Sequence, residues 1–169
     1  PILRLQPSSS RHQPNRGSLV SKVIVFGSLN MDLSVECERV PEAGETVHGT
    51  GFLTNPGGKG ANQAYAASRM GIETYMVGAV GDDAFGSRLV RSLGSAGVSC
   101  DYLYVRDTAP TGTATILRCH GENRIVVDAG SNAGLTSDEV CGALDDISEP
   151  GDIFLTQLEC DFSTTVDAL

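Results

Sequence analysis

Ten residues, Asn55-Pro56-Gly57-Gly58-Lys59-Gly60-Ala61-Asn62-Gln63-Ala64, gather glycine, a cation and a carboxamide ahead of a helix-forming run, Tyr65-Ala66-Ala67-Ser68-Arg69-Met70, that stops at Gly71. Glycines before a helix let the backbone take positive φ and approach a ligand closely. The helix start supplies unpaired N–H groups and a partial positive charge. Lys59 adds a full charge, and Asn62 adds a donor and an acceptor. Such a stretch suits a small, oxygen-rich molecule. A phosphate-cradling P-loop fails on spacing, because Leu53 stands where its first glycine belongs and Gly60 follows the lysine. A dinucleotide fingerprint starting at Gly58 fails because its third glycine would fall at Gln63.

Further polar groups stand just past apolar runs. Val23-Ile24-Val25-Phe26 reads as a strand buried on both faces, and Asn30 and Asp32 follow its carboxyl end. Ligands bind at that edge in open α/β sheets. Asp32 can accept two hydroxyl hydrogen bonds, as a diol requires, although the local residues equally suit an Asx turn. Asp152-Ile153-Phe154-Leu155-Thr156-Gln157 reads as another core strand, with Glu159 after it. Taken alone, Glu159 would be a solvated or capping acid. Gly81-Asp82-Asp83 could pair carboxylates for a metal, but an aspartate at a helix start explains it better. The lone His48 reads as structural or solvated.

The elements that must position these groups follow from periodicity. Thr74–Val80 is a second core strand. Phe85, Leu89, Val90, Leu93 and Ala96 share a helical face closed by Gly97. Thr136-Ser137-Asp138-Glu139 is a capping box opening a helix to about Ile147. Strands and helices therefore alternate, and the expected fold is α/β, a mostly parallel sheet covered by helices. Residues 33–38 alternate apolar and polar, Glu45-Thr46-Val47-His48 reads as a short strand, and alternation returns at 100–105 and 113–119, with a hairpin to 125–127. These segments, near 33–50 and 100–127, are expected to form a small antiparallel β lid.

The 169 residues carry a formal charge of −9. An acidic chain is a poor ligand for nucleic acid or an anionic membrane, and no apolar run approaches the ~20 residues of a membrane span. Residues 1–22 differ from the rest: four basic residues, no acid and no hydrophobic period. They read as a disordered leader, either a variable tail or part of an organelle-targeting segment. The domain proper is then 23–169, with a charge near −13. Five scattered cysteines, none in Cys-x-x-Cys, suggest packed, reduced thiols of a cytoplasmic protein. A start at Pro1 and a stop inside a young helix at Val166-Asp167-Ala168-Leu169 suggest a piece of a longer protein.

Gly57-Gly58-Lys59-Gly60-Ala61-Asn62-Gln63-Ala64 resembles the first signature of the ribokinase-like (PfkB) carbohydrate kinases. Gly27-Ser28-Leu29-Asn30-Met31-Asp32, Thr111-Gly112, Gly130-Ser131-Asn132-Ala133 and Gln157-Leu158-Glu159 match further family segments in order, so the resemblance covers about residues 22–169. It implies ATP-dependent phosphorylation of D-ribose to ribose 5-phosphate. It also implies sugar contacts at Asn30, Met31, Asp32, Gly58, Lys59, Gly60, Ala61, Asn62 and Glu159. ATP, Mg²⁺ and a monovalent cation such as K⁺ would be cofactors. A homodimer joined through the lid is implied, in the cytoplasm, with or without a nuclear pool. The family's catalytic Asp sits in a Gly-Ala-Gly-Asp motif that this sequence does not contain, so the chain is expected to hold the sugar-binding half and no catalytic residue. The alternatives are a kinase for another sugar or a nucleoside, and a non-catalytic sugar-binding product. A nicotinamide-dependent oxidoreductase is disfavoured because no Gly-x-Gly-x-x-Gly follows the first strand.

Overall fold

The computed structural model describes residues 3–4 and 21–169. The expected leader at 1–22 therefore lies almost wholly outside the described residues. Two sheets carry the fold. The main sheet has the order β1-β6-β5-β2-β9, formed by β1 (Leu3–Arg4), β2 (Val23–Phe26), β5 (Thr74–Gly81), β6 (Ser99–Arg106) and β9 (Ile153–Thr156). Strands β6, β5, β2 and β9 run parallel, and β1 pairs antiparallel with β6. The lid sheet has the order β4-β3-β7-β8, formed by β3 (Asn30–Cys37), β4 (Gly49–Gly57), β7 (Gly112–Cys119) and β8 (Glu122–Asp128).

Helices cover the main sheet because its central strands are apolar on both sides. Val23 and Val25 point into one core with Ala61, Ala64, Leu89 and Leu93. These belong to helices α1 (Lys59–Arg69) and α2 (Ala84–Ala96). Ile24 and Phe26 point the other way, into a core with Val140 and Ala143 of helix α3 (Ser137–Ile147). The period of two thus feeds two layers from one four-residue strand. The capping box at Thr136 and Glu139 forms as the sequence predicts, and α2 ends on left-handed Gly97. A 3₁₀ turn (Gly130–Gly134) precedes α3, and α4 (Phe162–Asp167) follows β9.

Four expectations need correction. The lid is mixed, because β3 pairs antiparallel with β4 but parallel with β7. The reason is connectivity: β4 returns directly from β3, whereas β7 enters from the main sheet at the same rim as β3. The segment at 99–106 is not lid but main sheet, since β6 pairs parallel with β5. Residues 45–48 are not a strand, and β4 starts at Gly49. Glu45 is drawn into a turn instead, its carboxylate accepting hydrogen bonds from the Arg39 guanidinium and from the Glu42 backbone N–H. Finally, β9 is an edge strand, and its Ile153 is exposed.

The link between lid and main sheet is built on Asp83, the N-cap of α2. Its carboxylate accepts the Gly86 N–H at 2.8 Å, the Thr111 N–H at 2.8 Å and the Thr111 hydroxyl at 2.8 Å. The same Thr111 oxygen accepts the Gly81 N–H at 2.9 Å. Partial burial works to raise the Asp83 pKa, but these donors win and hold it below the usual aspartate value. A depressed folded pKa gives stability that is present above the usual aspartate range and lost as pH falls through the folded value. Asp83→Ala should cost about 2–4 kcal/mol at neutral pH, from the lost cap and the orphaned donors. Urea unfolding should show that gap narrowing below about pH 4. An unchanged midpoint at pH 7 would refute the role.

Candidate functional site

Because β2, β5 and β9 run parallel, their carboxyl ends share one rim. Ser28 lies there, just past β2, and is buried. Its hydroxyl accepts the Lys59 N–H at 3.0 Å and donates to Glu159 Oε2 at 2.7 Å. Its carbonyl accepts the Ala61 N–H at 3.0 Å. The first turn of α1 is therefore docked on Ser28. The open helix terminus expected from the sequence is largely occupied by the protein itself.

That docking explains the glycines. Gly58 has φ 92°, and a Cβ there would come within 2.6 Å of the Ser28 carbonyl oxygen. A Cβ on Gly60 would lie 2.6 Å from the Gly27 carbonyl carbon. Gly60 and Ala61 are thus spacers that let backbones touch. Met31 also differs from a ligand-contacting residue. Its side chain is fully buried in the core beneath the lid, so only its backbone could meet a ligand.

Two charged groups from separate elements meet beside Ser28. The Lys59 ammonium pairs with Glu159 Oε1. The Glu159 carboxyl tends upward through partial burial, but the hydrogen bonds from Lys59 and Ser28 hold it below its usual value. The two side chains remain 65% and 34% exposed, and such a pair contributes at most about 1 kcal/mol. Hydroxyl groups of a ligand can therefore replace it cheaply.

Asn30 begins β3 and is buried. Asn132, in the 3₁₀ turn, fixes its orientation. Asn132 Oδ1 accepts the Leu29 N–H at 2.9 Å, and its Nδ2 donates to the Leu29 carbonyl at 3.0 Å and to Asn30 Oδ1 at 2.8 Å. Backbone contacts set the Asn132 amide, which in turn leaves Asn30 Nδ2 as the free donor. Gly112 makes room for this pair, because a Cβ there would meet both amides at 2.3 Å.

Asp32 stands two residues along β3, opposite Asn55 of β4. Its carboxylate lies over Gly57, where a Cβ would come within 2.4 Å of Oδ2. It forms no hydrogen bond or ion pair among the described residues. Burial alone pushes its pKa up. Asn62, on the first turn of α1, is exposed and lines a groove of about 270 Å³ with Asn55, Tyr65 and Ser92. The structure thus gathers Asn30, Asp32, Gly58, Lys59 and Glu159 at one rim, with Asn62 beside it on the same helix start.

Ser28 and Asn132 were not singled out by the sequence, although both fall inside family-like segments. A second omission is the Gln63–Gln157 contact, in which Gln157 Nε2 donates to Gln63 Oε1 and ties α1 to the end of β9. His48 and the pair Asp82–Asp83 take no part in the rim. Among the described residues no group of three His, Cys, Asp or Glu could hold a metal ion, and no helix is long and apolar enough to cross a membrane.

Carboxylate, carboxamide and ammonium groups thus stand at the carboxyl edge of a parallel α/β sheet, beside a second, mixed sheet. The profile described as "pfkB family carbohydrate kinase" matches residues 20–157. The chain belongs to the pfkB family of carbohydrate kinases. It is 46% identical to a ribokinase of Bacillus subtilis, over 81% of this chain and 46% of that protein. It is 38% identical to a ribokinase of Mus musculus, over 87% of this chain and 46% of that protein. The structure of Arabidopsis thaliana ribokinase complexed with ribose and ATP superposes with a TM-score of 0.76 at 32% identity, covering 88% of this chain and 49% of that one. The chain spans about half the length of the curated relatives it matches.

The unpaired Asp32 has a measurable consequence. A carboxyl whose folded pKa is raised costs stability once pH exceeds its usual value, and that cost disappears as pH falls below it. Asp32→Asn should therefore stabilise the fold at pH 7, with the gain shrinking toward about pH 4. Urea unfolding across that range reads it directly. A variant less stable than the parent would mean that the carboxylate has a partner in the fold.

Proposed function

We propose that this chain is the sugar-binding half of a kinase that transfers the γ-phosphoryl group of ATP to the 5-hydroxyl of D-ribose. The observation that carries the reading is the single rim that brings Asp32, the oriented amide of Asn30 and the Lys59–Glu159 pair close to Ser28. In this reading the Asp32 carboxylate accepts hydrogen bonds from two adjacent sugar hydroxyls. Asn30 Nδ2 donates to a ring substituent, and Lys59 and Glu159 exchange their mutual contact for hydroxyls. Asn62 closes the side toward α2. Glycines 58 and 60, Ala61 and the Met31 backbone shape the floor.

The phosphoryl end belongs to residues outside this sequence. Phosphoryl transfer depends on positioned groups that stabilise charge, and the sequence contains no Gly-Ala-Gly-Asp. ATP is supported as co-substrate by the nucleotide in the Arabidopsis thaliana complex. Mg²⁺ would be held chiefly by the substrate phosphates. The lid exposes Phe52, Leu53, Ile125, Val126 and Val127 along its two outer strands, apolar side chains suited to contact with a second copy of the same lid. Free thiols throughout fit a reducing cytoplasm.

The test has two arms. Residues 1–169 alone should release no ribose-dependent ADP in a coupled assay, since loss of a positioned base alone is worth about 10²–10⁴ in rate. Ribose-dependent turnover from this chain would refute the division of labour. The longer protein should prefer ribose in a panel with 2-deoxyribose, fructose and adenosine, and Asp32→Ala should abolish that activity. A preference for fructose or adenosine would remove ribose as the substrate.

A further inference from the structure

Cys37 and Cys119 lie 82 residues apart in sequence, yet their Sγ atoms lie 2.6 Å apart. They are the last residues of β3 and β7. The parallel register between those strands runs to Glu36 opposite Arg118, so the two cysteines occupy the next position along. Both point to the same face and are 8% exposed. Among the described residues neither contacts the sugar rim, which lies at the opposite end of β3. Cys100, Cys141 and Cys160 have no thiol neighbour among the described residues.

Burial alone would make this an inert packed pair. Two features argue otherwise. Both thiols sit at strand ends, where local opening costs little. Strand β3 runs out into exposed Glu38, Arg39 and Val40, and β7 turns through exposed His120 and Gly121, both at positive φ for the tight reversal. The sulfurs are also already in contact, so little approach is left before they can bond.

We propose that Cys37 and Cys119 form a redox-reactive dithiol, a modification site that closes reversibly to a disulfide and staples β3 to β7. The co-reactant is a low-molecular-weight disulfide such as oxidised glutathione. One cysteine, as thiolate, attacks a glutathione sulfur, forms a mixed disulfide and expels one glutathione thiolate, which takes up the proton. The second cysteine then attacks the protein sulfur of that mixed disulfide and expels the other glutathione. Two protein thiols are oxidised, and one glutathione disulfide is reduced to two thiols. The staple joins the strand that begins with Asn30 and Asp32 to the strand that begins with Gly112, and so braces the lid from its far end. The inference rests on lid geometry alone and stands apart from the sugar reading.

The test uses the purified chain incubated with oxidised glutathione and then analysed by intact mass and peptide mapping. The expected result is a loss of about 2 Da, the two thiol hydrogens, with the Cys37 and Cys119 peptides joined. The unfolding midpoint should rise, and dithiothreitol should reverse both changes. A variant carrying Cys100→Ser, Cys141→Ser and Cys160→Ser should behave the same way, whereas Cys37→Ser should show no loss of mass. Persistent glutathione adducts on Cys37 or Cys119, a bridge through another cysteine, or no reaction would overturn the proposal. A bridge that leaves the midpoint unchanged would overturn the staple.

Discussion

The structure depends on how closely the first turn of α1 approaches the end of β2. One hydroxyl, that of Ser28, accepts from the helix backbone and donates to Glu159 beyond β9. Three elements distant in sequence are thereby fixed to a common point. The approach is possible only because Gly58 and Gly60 carry no Cβ. Lys59 lies between them, so the spacing that permits the contact also delivers a cation to the rim. Backbone sterics and site chemistry are thus the same constraint, read at alternate residues.

The lid inherits its position from the same rim. Strand β3 leaves β2 through Leu29, which is held at both its N–H and its carbonyl by Asn132. Strand β7 enters through Thr111 and Gly112, held by Asp83 and spaced for the Asn30–Asn132 pair. Both strands therefore start at fixed points and run outward side by side, which makes their pairing parallel. Buried amide networks of this kind are costly if half satisfied and rigid if complete. Here the network is complete around Asn132, so the orientation of Asn30 is set before any ligand arrives.

Much of this was legible in the sequence. Strand β2, helix α2 with its Gly97 stop, and the Thr136 capping box follow from short-range rules and fall where expected. The lid was harder. Alternation marks a strand that is half buried but does not say in which sheet, so residues 100–105 read as lid although they pair with β5. Strand β4 was displaced because Glu45 found a local partner in Arg39, an interaction that competes with extension and leaves no periodic trace. At the site, Lys59 stood out because a cation inside a glycine run does not help a turn form, whereas Asp32 and Glu159 took their site reading from the family resemblance, since their local residues equally suit a turn or a solvated acid. Ser28 and Asn132 did not stand out, because a small polar residue in a turn looks the same whether it fills the turn or holds three elements together.

Charge at the rim decides which ligands it can accept. Lys59 and Glu159 neutralise one another, and Asp32 has no partner among the described residues. The local sum is one negative charge, inside a chain that is itself strongly acidic. A triphosphate brought against this rim would meet repulsion strengthened by partial burial. A neutral sugar would meet acceptors that lack donors and a donor, Asn30 Nδ2, already aimed. Leaving Asp32 desolvated and unpaired is a cost that a well-packed fold would ordinarily avoid. It makes sense if a ligand's hydroxyls supply the missing hydrogen bonds, because binding energy then includes relief of that penalty. An anionic ligand would find no such relief here, because the net negative charge of the rim opposes it.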